Sequence, residues 1–290
     1  MIAQQLANSL ALGGAYALMA LGFGLIFGVL DLIHWSYGDV MIAGAYVTVA
    51  CLGGVSHSFP LLLAGVVVAT TLVGVVVERL NFHALRDKPH MVILIASLGV
   101  AMVIQNLILI IWGPARRRFL VDVPFPPVKF LGVTLSGSRV LSIVLSVVVM
   151  VGLDLLLRRT RLGMAIRATI LDRDAAILMG INRRFIMVST FALGSALSGV
   201  AMLLLGSMYG VIFPLEGNFI GLMVFAAVII GGLGSIPGAV LGGVIIGFSQ
   251  TLSAAFVSVT YKDAITMTLL AVALCIKPSG ILGRPQEENI

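Results

Sequence analysis

Residues 9–30 read SLALGGAYALMALGFGLIFGVL, twenty-two positions without a charged side chain. As an α-helix at about 1.5 Å per residue, such a stretch covers about 33 Å, enough to cross a hydrocarbon core of about 30 Å. The first Lys or Arg of the chain is Arg79. The basic n-region of a secretory signal peptide is therefore missing, and the stretch is read as a retained span. Outward from it, apolar runs recur at 39–56, 60–78, 91–112, 139–157, 186–206, 219–234, 237–257 and 263–276. The chain is 60% hydrophobic and 10% charged, with a mean hydropathy of +1.14, whereas a soluble domain carries about 25% charged residues. The runs are continuous rather than alternating, which speaks against a transmembrane β-barrel. The sequence thus describes a single all-α polytopic membrane domain over residues 1–290 with eight or nine spans. The count is open because a Gly/Pro joint such as GGLGSIPG (231–238) can be a hinge inside one broken or re-entrant helix.

Several chemistries lack their signatures. No lysine follows a glycine, so there is no G-x-x-x-x-G-K-[ST] phosphate loop, and ATP is not hydrolysed by this chain alone. There is no H-E-x-x-H and no G-x-S-x-G, and His34, His57, His83 and His90 are scattered near span ends. Cys51 and Cys275 both fall in apolar runs, where they read as small packing residues rather than as a disulfide or metal site. A stand-alone secondary transporter needs ionisable groups inside its spans. Here only Asp31, Asp39, Asp154 and Glu216 come near one, all close to ends.

Charge sets the orientation. Between Arg158 and Arg184 lie seven arginines and two aspartates, nine of the thirty charged residues (18 basic plus 12 acidic). With that loop cytoplasmic and nine spans, one side holds twelve Lys and Arg residues and the other six. The positive-inside rule then puts the N-terminus outside and the C-terminus inside. Arg116, Arg117 and Arg118 oppose this arrangement. They sit in the 113–138 connection, whose prolines at 114, 124, 126 and 127 predict extended structure on the external side, either a partner contact or a lid over the helix ends.

Glycine supplies the packing. Gly24-x3-Gly28, Gly238-x3-Gly242, Gly243-x3-Gly247 and Ser195-x3-Gly199 place small residues one turn apart, so that helices can approach closely. The run GGLGSIPGAVLGG (231–243) is denser, and Gly231, Gly232, Gly234, Ser235, Pro237, Gly238 and Gly242 are expected to pack helices or form a hinge at a span end.

The arginine-rich loop has its own local code. In RATILDRDAAILMGIN (167–182), Asp172 is placed to cap a short helix, and Gly180 is its natural stop. Ala175, Ala176 and Met179 are expected on one face, as a small knob rimmed by arginines that docks into a cleft on another protein. The competing reading is a positive-inside anchor with an incidental turn.

At these residues the chain resembles the cytoplasmic coupling loop of bacterial ABC-importer permeases. More closely, it is similar to the high-affinity branched-chain amino acid permeases, the shorter of their two types. The resemblance runs through NSLALGGAYALMALGFGLIFGVLDLIHWSYGDVMIAGAY (8–46), FALGSALSGVAMLLLGSMYGVIFP (191–214) and AAVIIGGLGSIPGAVLGGVIIG (226–247), and is weakest in 113–138. It implies a bacterial inner-membrane importer built with a second, related permease, two cytoplasmic ABC ATPases that use the ATP, and an external solute-binding protein. This chain would bind no cofactor, metal or nucleic acid. The coupling residues would be Arg167, Ala168, Asp172, Ala175, Ala176, Met179, Gly180, Ile181 and Asn182, within the cytoplasmic loop 158–185. The family's usual N-F-A-H-G-E/D here reads His34-Trp35-Ser36-Tyr37-Gly38-Asp39, a departure that opens urea or short amides as alternatives to an amino acid.

His34, Trp35, Tyr37, Gly38 and Asp39 form the candidate substrate path in the first half, with an interfacial aromatic belt as the competing role. YGDVMIAG (37–44) is echoed by EGNFIGLM (216–223), which adds Gly217 and Asn218 to the path. On the expected topology the two lie in opposite orientation, as an inverted repeat requires.

Overall fold

The computed structural model describes residues 2–52, 57–85, 88–119, 121–123, 125–130, 133–277 and 279–283. Arg86, Pro124, Arg284 and the end of the second expected span lie outside them. Eleven α-helices appear among the described residues: α1 (Ile2–Leu30), α2 (Tyr37–Cys51), α3 (Phe59–Val77), α4 (His90–Trp112), α5 (Gly137–Arg159), α6 (Arg161–Leu171), α7 (Arg173–Leu178), α8 (Arg183–Tyr209), α9 (Glu216–Gly231), α10 (Ile236–Phe256) and α11 (Lys262–Ile276). Helix α3 runs on through a π-helical turn, Glu78–His83.

Among the described residues, six helices are long and apolar enough to cross a membrane: α1, α3 with its π turn, α4, α5, α8 and α10. Helices α2 and α9 are equally apolar but have 15 and 16 residues, about 22 to 24 Å at the helical rise and short of a full bilayer core.

Small residues decide which helices meet. Antiparallel α1 and α10 pack with Gly13 against Gly247 and Ala17 against Gly243. Antiparallel α3 and α8 do the same with Gly74 against Ser195 and Thr70 against Gly199. Because lipid is as apolar as leucine, close backbone approach rather than hydrophobicity holds such pairs together. Helices α1 and α8 form the mostly buried centre, while α4 and α5 keep most of their surface outside it. Cys51 and Cys275, expected as packing residues, are exposed on this chain's surface.

The 231–243 run is a reversal between two helices and not a hinge in one. Gly232 and Gly234 take φ of +113° and +76°, which turns the chain back at no steric cost. Ser235 accepts the Gly238 N–H at 3.2 Å, and Pro237 sits in the first turn of α10. Gly231 then packs on Gly238, and Gly242 on the Ala227 carbonyl, as antiparallel neighbours require.

At the end of the bundle opposite the 158–184 arginines, the described residues between α4 and α5 form no helix, as the prolines of this connection predict. Short strands pair there: β1 (His57–Ser58) with β3 (Val121–Asp122) in parallel, β2 (Arg117–Arg118) with β6 (Val211–Ile212) antiparallel, and β4 (Val128–Phe130) with β5 (Val133–Leu135) antiparallel. Phe119 is buried against Gly206, and Gln4 donates to the Thr134 carbonyl at 2.8 Å, so the segment covers helix ends.

Candidate functional site

Helices α2 and α9 begin inside the molecule, and their first turns pass each other. A six-residue link (31–36) turns the chain back from the end of α1, and a six-residue link (210–215) does so after α8. Gly38 rests on the Gly217 carbonyl and the Gly221 amide, while Gly217 rests on Asp39. Only glycine leaves room for this contact. The structure thus brings the two halves of the sequence echo together, and Gly38, Asp39 and Gly217 form its buried centre. Gln105 of α4 donates to Asp39 Oδ1 at 2.9 Å, and Oδ2 is buried without a partner.

The aromatic members of the expected path divide. Tyr37 is 1% exposed, and its hydroxyl lies 3.0 Å from the Met19 carbonyl and 3.2 Å from that of Gly194, bridging α1 and α8. His34 is enclosed by Phe82 and Phe191, with ring centroids at 5.1 and 5.2 Å. Both are core groups. The N–H of Trp35 reaches Ser97 Oγ at 3.4 Å, and its half-buried ring sides a small crevice with Asn218, Gly221 and Phe225. Glu78, absent from the expected set of span-end acids, is fully buried in the π turn. The sequence signal for it was weak, because α3 was expected to end there.

A larger space opens beside the outer half of α9. A cavity of about 470 Å³ is bounded by α1, α8, α9, α10, α11 and the 113–138 segment. Its polar lining is Tyr16, Arg116, Tyr209, Glu216, Gln250, Lys262 and Asp263, and its apolar wall includes Met202, Leu205, Phe219 and Met223. Sequence reading missed this site, since its polar groups come one or two at a time from separate elements. A glutamine and a tyrosine within otherwise apolar spans, Gln250 and Tyr16, were the available signal.

At the arginine end, α6 and α7 form an elbow. Thr160 caps α6 by accepting the Gly163 N–H at 3.0 Å. Asp172 Oδ1 accepts the N–H groups of Asp174 and Ala175 at 3.0 and 2.9 Å, as the sequence reading expects of a cap. Gly180 has a φ of +84°. Its N–H donates to the Ile177 carbonyl at 2.9 Å and that of Ile181 to Ala176 at 3.1 Å, a Schellman ending. Asn182 then caps α8, accepting the Phe185 N–H.

The expected docking face needs correction at one position. Ala176 is buried by the chain itself, at 4% exposure, and the outward apolar groups include Leu171, Ile177, Leu178 and Met179, the last two 87% and 85% exposed. The Schellman turn brings the Ile181 N–H back to the Ala176 carbonyl, while Leu178 and Met179 between them stay outside. Ala175 and Arg167 are exposed as expected, while Ala168 and Ile181 are half-buried. Arg173 fastens the elbow to the bundle, its guanidinium donating to the Val29 carbonyl at 2.6 Å near the end of α1.

A family model described as the permease component of branched-chain amino acid transport systems matches residues 5–274. The chain is 35% identical to the high-affinity branched-chain amino acid transport system permease protein BraD of Pseudomonas aeruginosa, covering 99% of this chain and 97% of that one. It is 32% identical to the corresponding LivH protein of Escherichia coli K12, with the same coverage. The permease protein LivM of that organism is 26% identical and is covered over 69% of its length. Among solved structures, PsaBC from Streptococcus pneumoniae in complex with Fab aligns with a TM-score of 0.52 at 11% identity, covering 94% of this chain and 91% of that one, a likeness of fold.

Proposed function

The chain belongs to the permease family of branched-chain amino acid transport systems, and on that premise we propose how it works. It is the permease subunit of an ABC importer for branched-chain amino acids. It lines the translocation pathway together with a second, related permease of the LivM kind. Separate cytoplasmic ATPase subunits supply the energy, and an external binding protein delivers the solute. ATP is used by those partner subunits and not by this chain, which has no phosphate loop.

The observation that carries the reading is the α6–α7 elbow. It is an apolar knob of Leu171, Leu178 and Met179 ringed by arginines and fixed to the last turn of α1 by Arg173. Exposed leucine and methionine at a charged, water-facing end have no lipid to cover them, so a partner protein does. Closure of the ATPase pair would push the knob, Arg173 would carry the push to α1, and the 31–36 link would pass it to the α2–α9 crossing. Such coupling needs an element with two arrangements, here the relative position of α2 and α9.

On this reading the elbow lies in the cytoplasm of a bacterial inner membrane, with the strand-bearing end outside. The chain crosses nine times, α2 and α9 being half-crossings that meet end to end. An inverted repeat relates α1–α3 to α8–α10: 29, 15 and 19 residues in the first set correspond to 27, 16 and 21 in the second, with six-residue links at matching places. Because His34 and Tyr37 are core groups, their departure from the family motif gives no ground for urea or an amide as substrate.

Reconstitution tests the proposal. Proteoliposomes holding the full complex should take up radiolabelled leucine, isoleucine and valine only with ATP on the cytoplasmic side and binding protein on the other. Uptake driven by an ion gradient without ATP would refute it.

A further inference from the structure

The 470 Å³ cavity carries charge of both signs and no ion pair. Arg116 and Lys262 stand on its wall with Glu216 and Asp263, yet no two of these four lie within 4.0 Å as a salt bridge. Two of them are held in place by neighbours. Gln250, 3% exposed, accepts from the Tyr16 hydroxyl at 3.1 Å and donates to Asp263 Oδ1 at 3.1 Å, a relay through α1, α10 and α11. The Arg116 guanidinium lies over the Phe213 ring at 5.6 Å. Two positive and two negative groups face one space of ordinary ligand size, about 300–1,000 Å³, and the rest of the wall combines aliphatic and thioether side chains with the Phe219 ring, Tyr16, Tyr209 and Gln250.

We propose that this cavity is a binding station for a zwitterionic α-amino acid with an aliphatic side chain, an inference that rests on the functional reading above. Lys262 and Arg116 take the carboxylate, Glu216 and the free oxygen of Asp263 take the ammonium, and Met202, Leu205 and Met223 take the side chain. The chemistry is selective in each part. A neutral apolar molecule would offer none of the four charged groups a partner. A purely cationic or anionic solute would satisfy one pair and oppose the other. Unbranched, polarisable methionines adapt to more than one branched side chain.

The test uses the whole permease complex in lipid nanodiscs, without binding protein, and three probes: leucine, leucinol (no carboxylate) and 4-methylpentanoate (no ammonium). Leucine should bind at least about tenfold more tightly than either analogue, the size of one lost charge-assisted contact. Glu216→Gln should weaken leucine and leucinol about tenfold and leave 4-methylpentanoate unchanged, while Lys262→Gln should weaken leucine and 4-methylpentanoate and leave leucinol unchanged. Equal binding of all three probes by the wild type overturns the proposal without any variant. So does an equal loss of all three in both variants, or no leucine binding up to about 10 mM, a free energy too small for a built site. If ATP-driven uptake of leucine persists in those cases, this station alone is wrong. If the wild-type complex takes up no branched-chain amino acid, the functional reading fails with it.

Discussion

Replacing Gly38 by alanine puts one methyl group at the point where α2 and α9 touch. The new Cβ would overlap the Gly217 carbonyl oxygen and lie 2.9 Å from both the Gly217 carbonyl carbon and the Gly221 amide nitrogen. All three are backbone atoms of a helix, so no flexible side chain can swing aside. Overpacking costs about 1–3 kcal/mol, and rigid neighbours put this case near the top of that range. Against it stands the gain of about 0.5–1 kcal/mol for alanine over glycine in a helix, leaving a net loss of about 2 kcal/mol. That corresponds to about thirtyfold in any equilibrium requiring the crossing to close. Gly24→Ala is the matched control, because its Cβ would meet only Ala239 Cβ at an ordinary 3.6 Å. The assay compares ATP-driven uptake at equal membrane abundance with the apparent Tm of the purified complex. Gly38→Ala should lower both by clear margins, and Gly24→Ala neither. Wild-type uptake and Tm in Gly38→Ala would refute the claim that the crossing is closed by backbone contact.

Three further outcomes follow. Leu178→Arg, on the outward face of the elbow, should leave the permease folded but reduce co-purification of the ATPase subunits at least about tenfold, a typical loss for a charge placed in an apolar interface; Ala176→Arg should instead reduce the yield of folded protein. Tyr37→Phe removes the hydroxyl that bridges α1 and α8 and should cost about 1 kcal/mol of stability with no change in the ranking of competing substrates, so a changed ranking would return Tyr37 to the path. A cysteine at Asn182 should react only with reagents that enter the cytoplasm and one at Ser136 with impermeant reagents added outside, the reverse pattern overturning the proposed orientation.

The ends of most spans were legible because hydropathy changes there, and those of the short α7 because a cap and a stop bound it. The last expected span, 263–276, and α11 (Lys262–Ile276) differ by one residue, and Asp172 and Gly180 announced their cap and stop. Helix α1 starts earlier than its apolar run, since Gln4, Gln5 and Asn8 bond one another and the Thr134 backbone. A composition reading sees only polar residues there. The role of Tyr37 was not legible, because its partners, Met19 and Gly194, are backbone carbonyls on two other helices. The same limit hid the cavity, whose Tyr16 and Gln250 are 234 positions apart. Ala176 was misplaced because a six-residue helix has no reliable face until the turn that ends it is known.

The crossing of α2 and α9 has a sign as well as a shape. Each helix presents its N-terminal end there, and a helix start carries the equivalent of about half a positive charge on its unpaired amides. Two such starts packed on each other amount to about one positive charge held inside the molecule. Both helices carry an acid in the first turn, Asp39 in α2 and Glu216 in α9, and Asp39 is the one enclosed at the contact. Set against that charge, the two carboxylates leave no positive excess at the crossing, so the helix starts are compensated within the chain itself.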